Sequence, residues 1–488
     1  MADFFRQIRG YRPEIKLFLL FNLLANVGLG VFVLIFNLYL TALGLREDDI
    51  GVLSAAQTLS MAAAAASMGL ILNRFGLWRT IVGGTAVFVL SAVALSLSET
   101  TVTLLPLTIA FGIGFAYMAT VTMPFIIEWT RPDQRQQVSA LTFSSAAIST
   151  TVGSLVGGFL PNLLPFSEIV QYRLTLILGM LVTAAGFYPL LAMGEARRGK
   201  APVDPGDVRA DTAGDRRQVR RDMTVFVAIG GLMAIGAGLV GPFFNVYLAT
   251  LGASSTAIGL VFAVAGLSSA VVGLTAPAVS RRFGSLWAVV VVRVAAVPFF
   301  LLLMLTPVFP VAILAWVARQ TSISMAWPID STFIAEILPP RSRASVFGLR
   351  SAAWNVGFSI ASLVGGILIV RYGYHLNFLG LVIFSVISMA LFGGYYAQHP
   401  RIKSGEITMA LSPRARARLE RVQQEQAAAA LAESPALLPT IDPGQVDDRP
   451  REQAGGAKPS PKTIDRRAAP PTVTAAGTSD KERGVDPG

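Results

Sequence analysis

Four ionisable residues lie inside otherwise apolar stretches of the second half of the chain: Arg293, Arg319, Asp330 and Arg350. Guanidinium groups hold carboxylates and other anions through charge-assisted hydrogen bonds, and a lone interior carboxylate is a group that can carry a proton. Charges in an apolar medium are costly and usually tied to function. At 1.5 Å per helical residue, Asp330 lies about 9 Å inward from Glu336, Arg350 about 10 Å inward from Arg343, and Arg293 about 12 Å inward from the same side. These three share a layer. Arg319 is about 16 Å from Asp330 along nearly the same helix face, too far for direct pairing. Arginine in excess of acid tilts the reading towards an anionic or carboxylate-bearing ligand, with Asp330 as the coupling candidate.

Polar and aromatic groups in the same stretches complete a candidate lining. Asn26 shares a helix face with Asn22, four residues earlier, and Gln57, Gln320, Trp316, Trp327, Trp354 and Asn355 add amides and rings. Such a lining suits a sugar or an amphipathic drug equally well. Asn37 and Tyr39, with Asn245 and Tyr247, are read either as a gate or binding groups, or as partners for helix-end hydrogen bonds.

Other chemistries lack their residues. There are no cysteines and only two histidines, His375 and His399, so thiolate metal sites, disulfides and histidine-based catalysis have nothing to work with. No HExxH and no GxxxxGK[ST] occurs, which removes a zinc-protease site and ATP hydrolysis from the reading. The chain reads as a non-enzyme without cofactor or metal.

The elements that carry these residues are set by composition. Of 488 residues, 53% are hydrophobic and 14% charged, with mean hydropathy +0.59. Soluble domains carry about 25% charged residues, so lipid is the expected solvent. Apolar stretches of about 20 residues recur roughly twelve times, from 15–41 to 375–397, each long enough to cross a hydrocarbon core as a helix. Lys and Arg gather on alternate connections: Arg74 and Arg79, Arg131 and Arg135, Arg281 and Arg282, Arg341 and Arg343, and the long middle link. By the positive-inside rule both termini and that link face the cytoplasm of a plasma (inner) membrane. The formal charge of +11 is therefore topology, with some attraction to membrane lipid, and implies no nucleic-acid partner. The expected division is 1–194, a six-helix bundle; 195–222, a cytoplasmic linker; 223–398, a second six-helix bundle; and 399–488, a mostly disordered cytoplasmic tail in which 412–433 can form a helix.

The two bundles are copies. "FNLYLTALG" at 36–44 returns as "FNVYLATLG" at 244–252, "RFG" at 74–76 returns at 282–284, "FIIE" at 125–128 as "FIAE" at 333–336, and "SLVGG" at 154–158 returns at 362–366. The offset is 208 residues each time, without a gap. The glycines of "SLVGG" are read as close-packing positions between helices. Two six-helix repeats in one orientation, with a site between them, form a transporter architecture.

Over about residues 10–400 the chain resembles the major facilitator superfamily. "GLILNRFGLWR" (69–79) is similar to the family's loop G-x-x-x-D-R-x-G-R-R, with Gly69, Arg74, Gly76 and Arg79 matching and Asn73 where Asp is usual. Glu128 with Arg135, and Glu336 with Arg343, form duplicated E-x6-R motifs. "GSLVGG" lacks the proline of the family's exchanger pattern. The resemblance implies an all-α membrane protein with twelve transmembrane helices in two pseudo-symmetric six-helix bundles. It implies alternating access, with Gly69, Asn73, Arg74, Gly76, Arg79, Glu128, Arg135, Glu336 and Arg343 as a cytoplasmic gate. Its cavity-lining helices make Arg319, Asp330, Arg350, Asn26, Gln320 and Trp327 the substrate or coupling candidates. The expected activity is secondary transport of a small organic solute, with a co- or counter-transported proton as an option, by a monomer. The rival readings are a proton-coupled multidrug exporter and a non-transporting receptor or scaffold that uses the tail. Cutting the tail at about 405 would leave transport intact in the transporter reading.

Overall fold

The computed structural model describes residues 11–130, 132–194, 213–407 and 410–433. Most of the 195–222 linker and the tail beyond 433 lie outside the described residues. In lipid every backbone group must be bonded within its own segment, and among the described residues the chain is all helix with no strand. The spans are α1 (Pro13–Ala42), Glu47–Leu97, α4 (Thr101–Ile126), α5 (Pro132–Leu163), α6 (Glu168–Ala192), α7 (Arg216–Thr250), α8 (Ser255–Gly273), α9 (Ser285–Leu305), α10 (Phe309–Ile337), α11 (Pro340–Tyr372) and α12 (His375–Ala397). The 51-residue helix Glu47–Leu97 holds two spans, α2 (47–75) and α3 (77–97), which meet at Gly76.

Length and apolarity alone pick out ten crossing helices among the described residues. The count of twelve comes from splitting Glu47–Leu97 and adding α10, whose 29 residues carry Arg319, Asp330 and Glu336. Gly76 has φ 79° and its copy Gly284 has φ 78°, a left-handed turn that only glycine adopts without strain. The two "RFG" phrases are therefore the same turn in each half.

The halves are tied internally by the same bonds. Ser154 donates to the Gly30 carbonyl at 3.3 Å, and Ser362, 208 residues later, donates to the Gly238 carbonyl at 3.4 Å. α5 thus lies on α1 and α11 on α7, with small residues at the crossings. In the second half the serine fills a vacancy. Pro242 has no N–H to give Gly238, and α7 is broken there, running helical to Val240, 3-10 over Gly241–Phe243 and helical again from Phe244.

Two short elements follow the last span: α13 (Pro400–Lys403) and α14 (Pro413–Glu433). Ile402, Ile407 and Ala410 are buried with Ile337 and Leu338 at the end of α10, and Arg401 Nη1 donates to the Ile337 carbonyl at 2.8 Å. The chain after α12 is thus part of the second bundle up to Ala410. Among the described residues, those up to Ala427 form one compact unit.

Candidate functional site

The two halves meet at one end of the helices, opposite the end that carries Arg74, Arg79, Arg281, Arg282 and Arg343. Asn37 of α1 donates through Nδ2 to the Pro242 carbonyl of α7, and Asn245 of α7 donates to the Leu34 carbonyl of α1 at 2.8 Å. The donors differ by 208 residues and so do the acceptors, so the two bonds are one bond repeated about the pseudo-two-fold axis. The break in α7 makes this possible. The Val246 N–H, which would bond the Pro242 carbonyl in a regular helix, goes to Asn245 Oδ1 at 3.0 Å and leaves that carbonyl to Asn37. The repeated "FN" is thus a reciprocal latch.

Glycines close the same end. A Cβ on Gly158 would stand 2.7 Å from the Ser255 carbonyl and 2.8 Å from the Cα of Gly259. A Cβ on Gly366 would stand 2.2 Å from the Glu47 carbonyl, against the helix turn that carries Gly51. These contacts, α5 on α8 and α11 on α2, again differ by 208 residues. Asn162 on Ser255 and Thr256, and Tyr374 on Glu47 at 3.1 Å, complete the seal.

Above the latch lies a cavity of about 680 Å³ lined by both halves. Its wall is aromatic: Phe32, Phe36, Phe111, Phe115, Phe262, Trp316 and Phe358. Its polar groups are Asn37, Gln57, Asn245 and Gln320 with several serines and threonines. No charged side chain lines it among the described residues. The rings are fixed by stacking, Phe32 on Phe111 with centroids 4.3 Å apart and Trp316 on Phe244 at 4.3 Å.

The interior charges lie elsewhere. Arg293 Nη2 reaches Asp330 Oδ2 at 3.3 Å, Arg350 Nη2 bonds the same oxygen, and all three residues are buried. The shared layer read from the spacing is therefore an ion triad, which joins α9, α10 and α11. Arg350 also lies over the Phe226 ring at 4.7 Å. Neither Asp330 nor Arg350 lines a cavity described here. Arg319 bonds Gln320 Oε1 at 3.2 Å and lies 5.2 Å from the Trp316 ring centre, but its side chain and that of Trp327 face a second cavity inside the second half. Asn26 bonds the Asn22 carbonyl at 2.7 Å, and Asn22 in turn bonds the Thr142 carbonyl of α5 at 3.0 Å. Of the six substrate or coupling candidates, only Gln320 lines the central cavity.

At the basic end, Arg74, Glu128, Glu336 and Arg343 are not paired with one another. Glu128 is exposed, and the side chain of Arg135 lies outside the described residues. Arg74 lies over its neighbour Phe75 at 5.6 Å, and Arg343 Nε donates to the Leu338 carbonyl at 3.1 Å. Glu336 Oε2 has no hydrogen-bond partner, and the charge that acts on Glu336 is Arg416 of α14. Gly76 makes the α2–α3 turn, next to Asn73 and Arg79, and Gly69 lies in open space on α2. Among the described side chains, none of Arg74, Glu128, Glu336 and Arg343 forms an ion pair across the halves at this end.

The sequence reading missed one buried network at the basic end. Asp222 accepts from Tyr395 at 2.6 Å and Gln218 at 3.0 Å, and its other oxygen meets His399 Nε2 at 3.1 Å. These bonds fasten α7 to the end of α12. Asp222 falls at the end of the stretch read as the linker, directly after Arg220 and Arg221, so nothing in its neighbours signals that it is buried.

Comparison with known proteins agrees with this architecture. The sequence pattern of the Major Facilitator Superfamily matches residues 18–318 and 226–433. An uncharacterized MFS-type transporter of Methanocaldococcus jannaschii is 28% identical over 157 residues, 30% of this chain and 40% of that protein. The quinolone resistance protein NorA of Staphylococcus aureus is 29% identical over 140 residues, 28% of this chain and 35% of NorA. The matched part thus spans less than half the length of either relative. The structure of the nucleoside transporter NupG superposes with TM-score 0.63 at 16% identity, covering 79% of this chain and all of that one. A D-xylose-proton symporter gives 0.61 at 14% identity, over 78% and 97%. At such identities the likeness is one of fold. With the repeat, the glycine turn between α2 and α3 and a cavity between the halves, the family match establishes that the chain belongs to the Major Facilitator Superfamily, as a multi-pass membrane protein.

Proposed function

We propose that this chain exports an aromatic or amphipathic organic solute, which binds in the central cavity and crosses as the two halves rock. The observation that carries the reading is the cavity wall: seven aromatic rings, four amides and no charge among the described residues. Such a wall takes apolar and aromatic surface and orients it with a few hydrogen bonds. The anionic tilt drawn from interior arginine does not extend to this cavity, because Arg293 and Arg350 share Asp330 and Arg319 faces away. With the basic end cytoplasmic, the state described here is open inward and latched outside. The resistance protein among the relatives favours export.

In this reading Glu128, Arg135, Glu336 and Arg343 re-engage when the cytoplasmic end closes. A co- or counter-transported proton is one option for coupling, but Asp330 is a poor carrier. Its oxygen is held by two guanidinium groups, and releasing it would leave both buried charges uncompensated. The chain acts as a monomer in the plasma (inner) membrane.

Flux into and out of proteoliposomes tests the proposal, with matched neutral, anionic and cationic aromatic solutes. Saturable flux of neutral or amphipathic solutes, weakened by Trp316→Ala and Gln320→Ala, is the expected result. Flux confined to anions, lost in Arg319→Gln and indifferent to Trp316→Ala, would overturn it.

A further inference from the structure

The second cavity lies wholly within the second half, between α7, α9, α10, α11 and α12, with a volume of about 140 Å³. α10 is the partition. Trp316, Gln320 and Ser324, at i, i+4 and i+8, face the central cavity, whereas Arg319, Ile323 and Trp327, on the same spacing, face this one.

Its polar side is cationic. Among the described residues Arg319 has no carboxylate partner, and one amide oxygen engages only one of its five N–H donors. Arg293 also lines the cavity. It is 8% exposed, and its Nε has no hydrogen-bond partner although Nη2 is held by Asp330. Arg293, Arg319 and Arg350 bring three positive charges to this layer and its neighbour, and Asp330 brings one negative charge. The excess is uncompensated in a low-dielectric interior, where an anion meets the strongest attraction. The hydroxyls of Ser322 and Ser385 also line the cavity and are not engaged within the described protein.

The remaining wall is apolar and aromatic, with Phe300, Trp327 and Trp354. A dry apolar cavity of about 150 Å³ takes one benzene ring. We propose that this cavity is a second ligand site, separate from the solute path, which takes a small aromatic carboxylate. Its ring lies among the aromatic residues, and its carboxylate accepts from the unengaged N–H groups of Arg319, with Arg293 adding positive charge at the wall. A ligand there joins α9 to α10, which the Asp330 triad also links.

Benzoate and its neutral isostere benzamide, titrated against the full chain in lipid nanodiscs by calorimetry and by melting temperature, test the site. Benzoate is expected to bind saturably and raise the melting temperature, and benzamide is not. Arg319→Gln should weaken benzoate about tenfold or more, by loss of a charged hydrogen-bond pair. Arg319→Lys keeps the charge without the planar fork and should fall between the two. Ser385→Phe fills the cavity and leaves every charge in place, so it should abolish binding. Gln57→Ala, on the first-half wall of the central cavity, should leave benzoate affinity unchanged. Absence of saturable benzoate binding, binding that survives both Arg319→Gln and Ser385→Phe, or binding lost in Gln57→Ala would each overturn the proposal.

Discussion

Removing either arm of the asparagine latch should shift the chain towards the state that is open at the latched end. In Asn37→Ala the Pro242 carbonyl loses its donor, because the Val246 N–H is already committed to Asn245 Oδ1. A buried carbonyl left without a partner costs about 1–3 kcal/mol. In Asn245→Ala the Leu34 carbonyl loses a 2.8 Å bond and the Val246 N–H loses its acceptor, for a cost of the same order. Both costs fall only on the latched state, so each variant should move the equilibrium between states by about 5–150-fold. The double variant should fall short of the sum. Without Asn245 the Val246 N–H can return to the Pro242 carbonyl, which then no longer needs Asn37. The chain has no cysteine, so spin labels at Thr41→Cys and Thr250→Cys, both exposed at this end, report the separation of α1 from α7 without background. Electron–electron distance measurements should show a longer-distance population that grows in each single variant. Unchanged distance distributions in both singles, or a strictly additive double, would refute the argument.

Three further outcomes follow from the same contacts. Gly366→Leu should yield a folded, monodisperse protein that cannot close the latched end, because its Cβ would stand 2.2 Å from the Glu47 carbonyl; loss of flux with a normal gel-filtration profile checks this. Asp330→Asn should lower stability by about 3–5 kcal/mol, since it leaves Arg293 and Arg350 buried without a counter-charge. Joint replacement of the triad by Met, Leu and Met should restore most of that in thermal unfolding, and a smaller loss in Asp330→Asn alone would show that the triad is not a closed ion network. Cutting the chain at 405 should lower the melting temperature and impair flux, contrary to the expectation from sequence, because Ile407 and Ala410 seal the end of α10. Ile407→Asp should reproduce the effect, and full activity in both would show that this packing is dispensable.

The fold was legible because the repeat is written in residues that do the same physical work twice. Ser154 and Ser362 bond equivalent carbonyls, Gly158 and Gly366 make equivalent crossings, and Gly76 and Gly284 make equivalent turns. A gapless offset of 208 residues is what two copies held by the same contacts must keep. The shared depth of Arg293, Asp330 and Arg350 was legible for a related reason: helical rise converts spacing into depth with little error.

Azimuth was not legible. Arg319 and Gln320 are neighbours in sequence and at one depth, yet successive residues point about 100° apart around a helix. Which of them meets the solute path depends on which helices flank α10, and an isolated apolar stretch does not encode its flanks. Of the aromatic wall only Trp316 was singled out, because 29 phenylalanines are spread through every span and only the tertiary arrangement selects the few that face one another. The basic-end motifs are illegible in a different sense. Glu128 is exposed and Glu336 Oε2 has no hydrogen-bond partner here, so the pairing proposed for them belongs to a state that brings the halves together at that end. In the proposed cycle the same sequence therefore encodes two sets of contacts. Those that close one end are satisfied here by asparagines and glycines, and those that close the other are left as charges. Polar groups that bond backbone carbonyls survive without water, whereas an exposed carboxylate such as Glu128 stays solvated. The asymmetry is consistent with a protein whose two closed ends are built from different chemistry, so that opening one does not require the other to have the same strength.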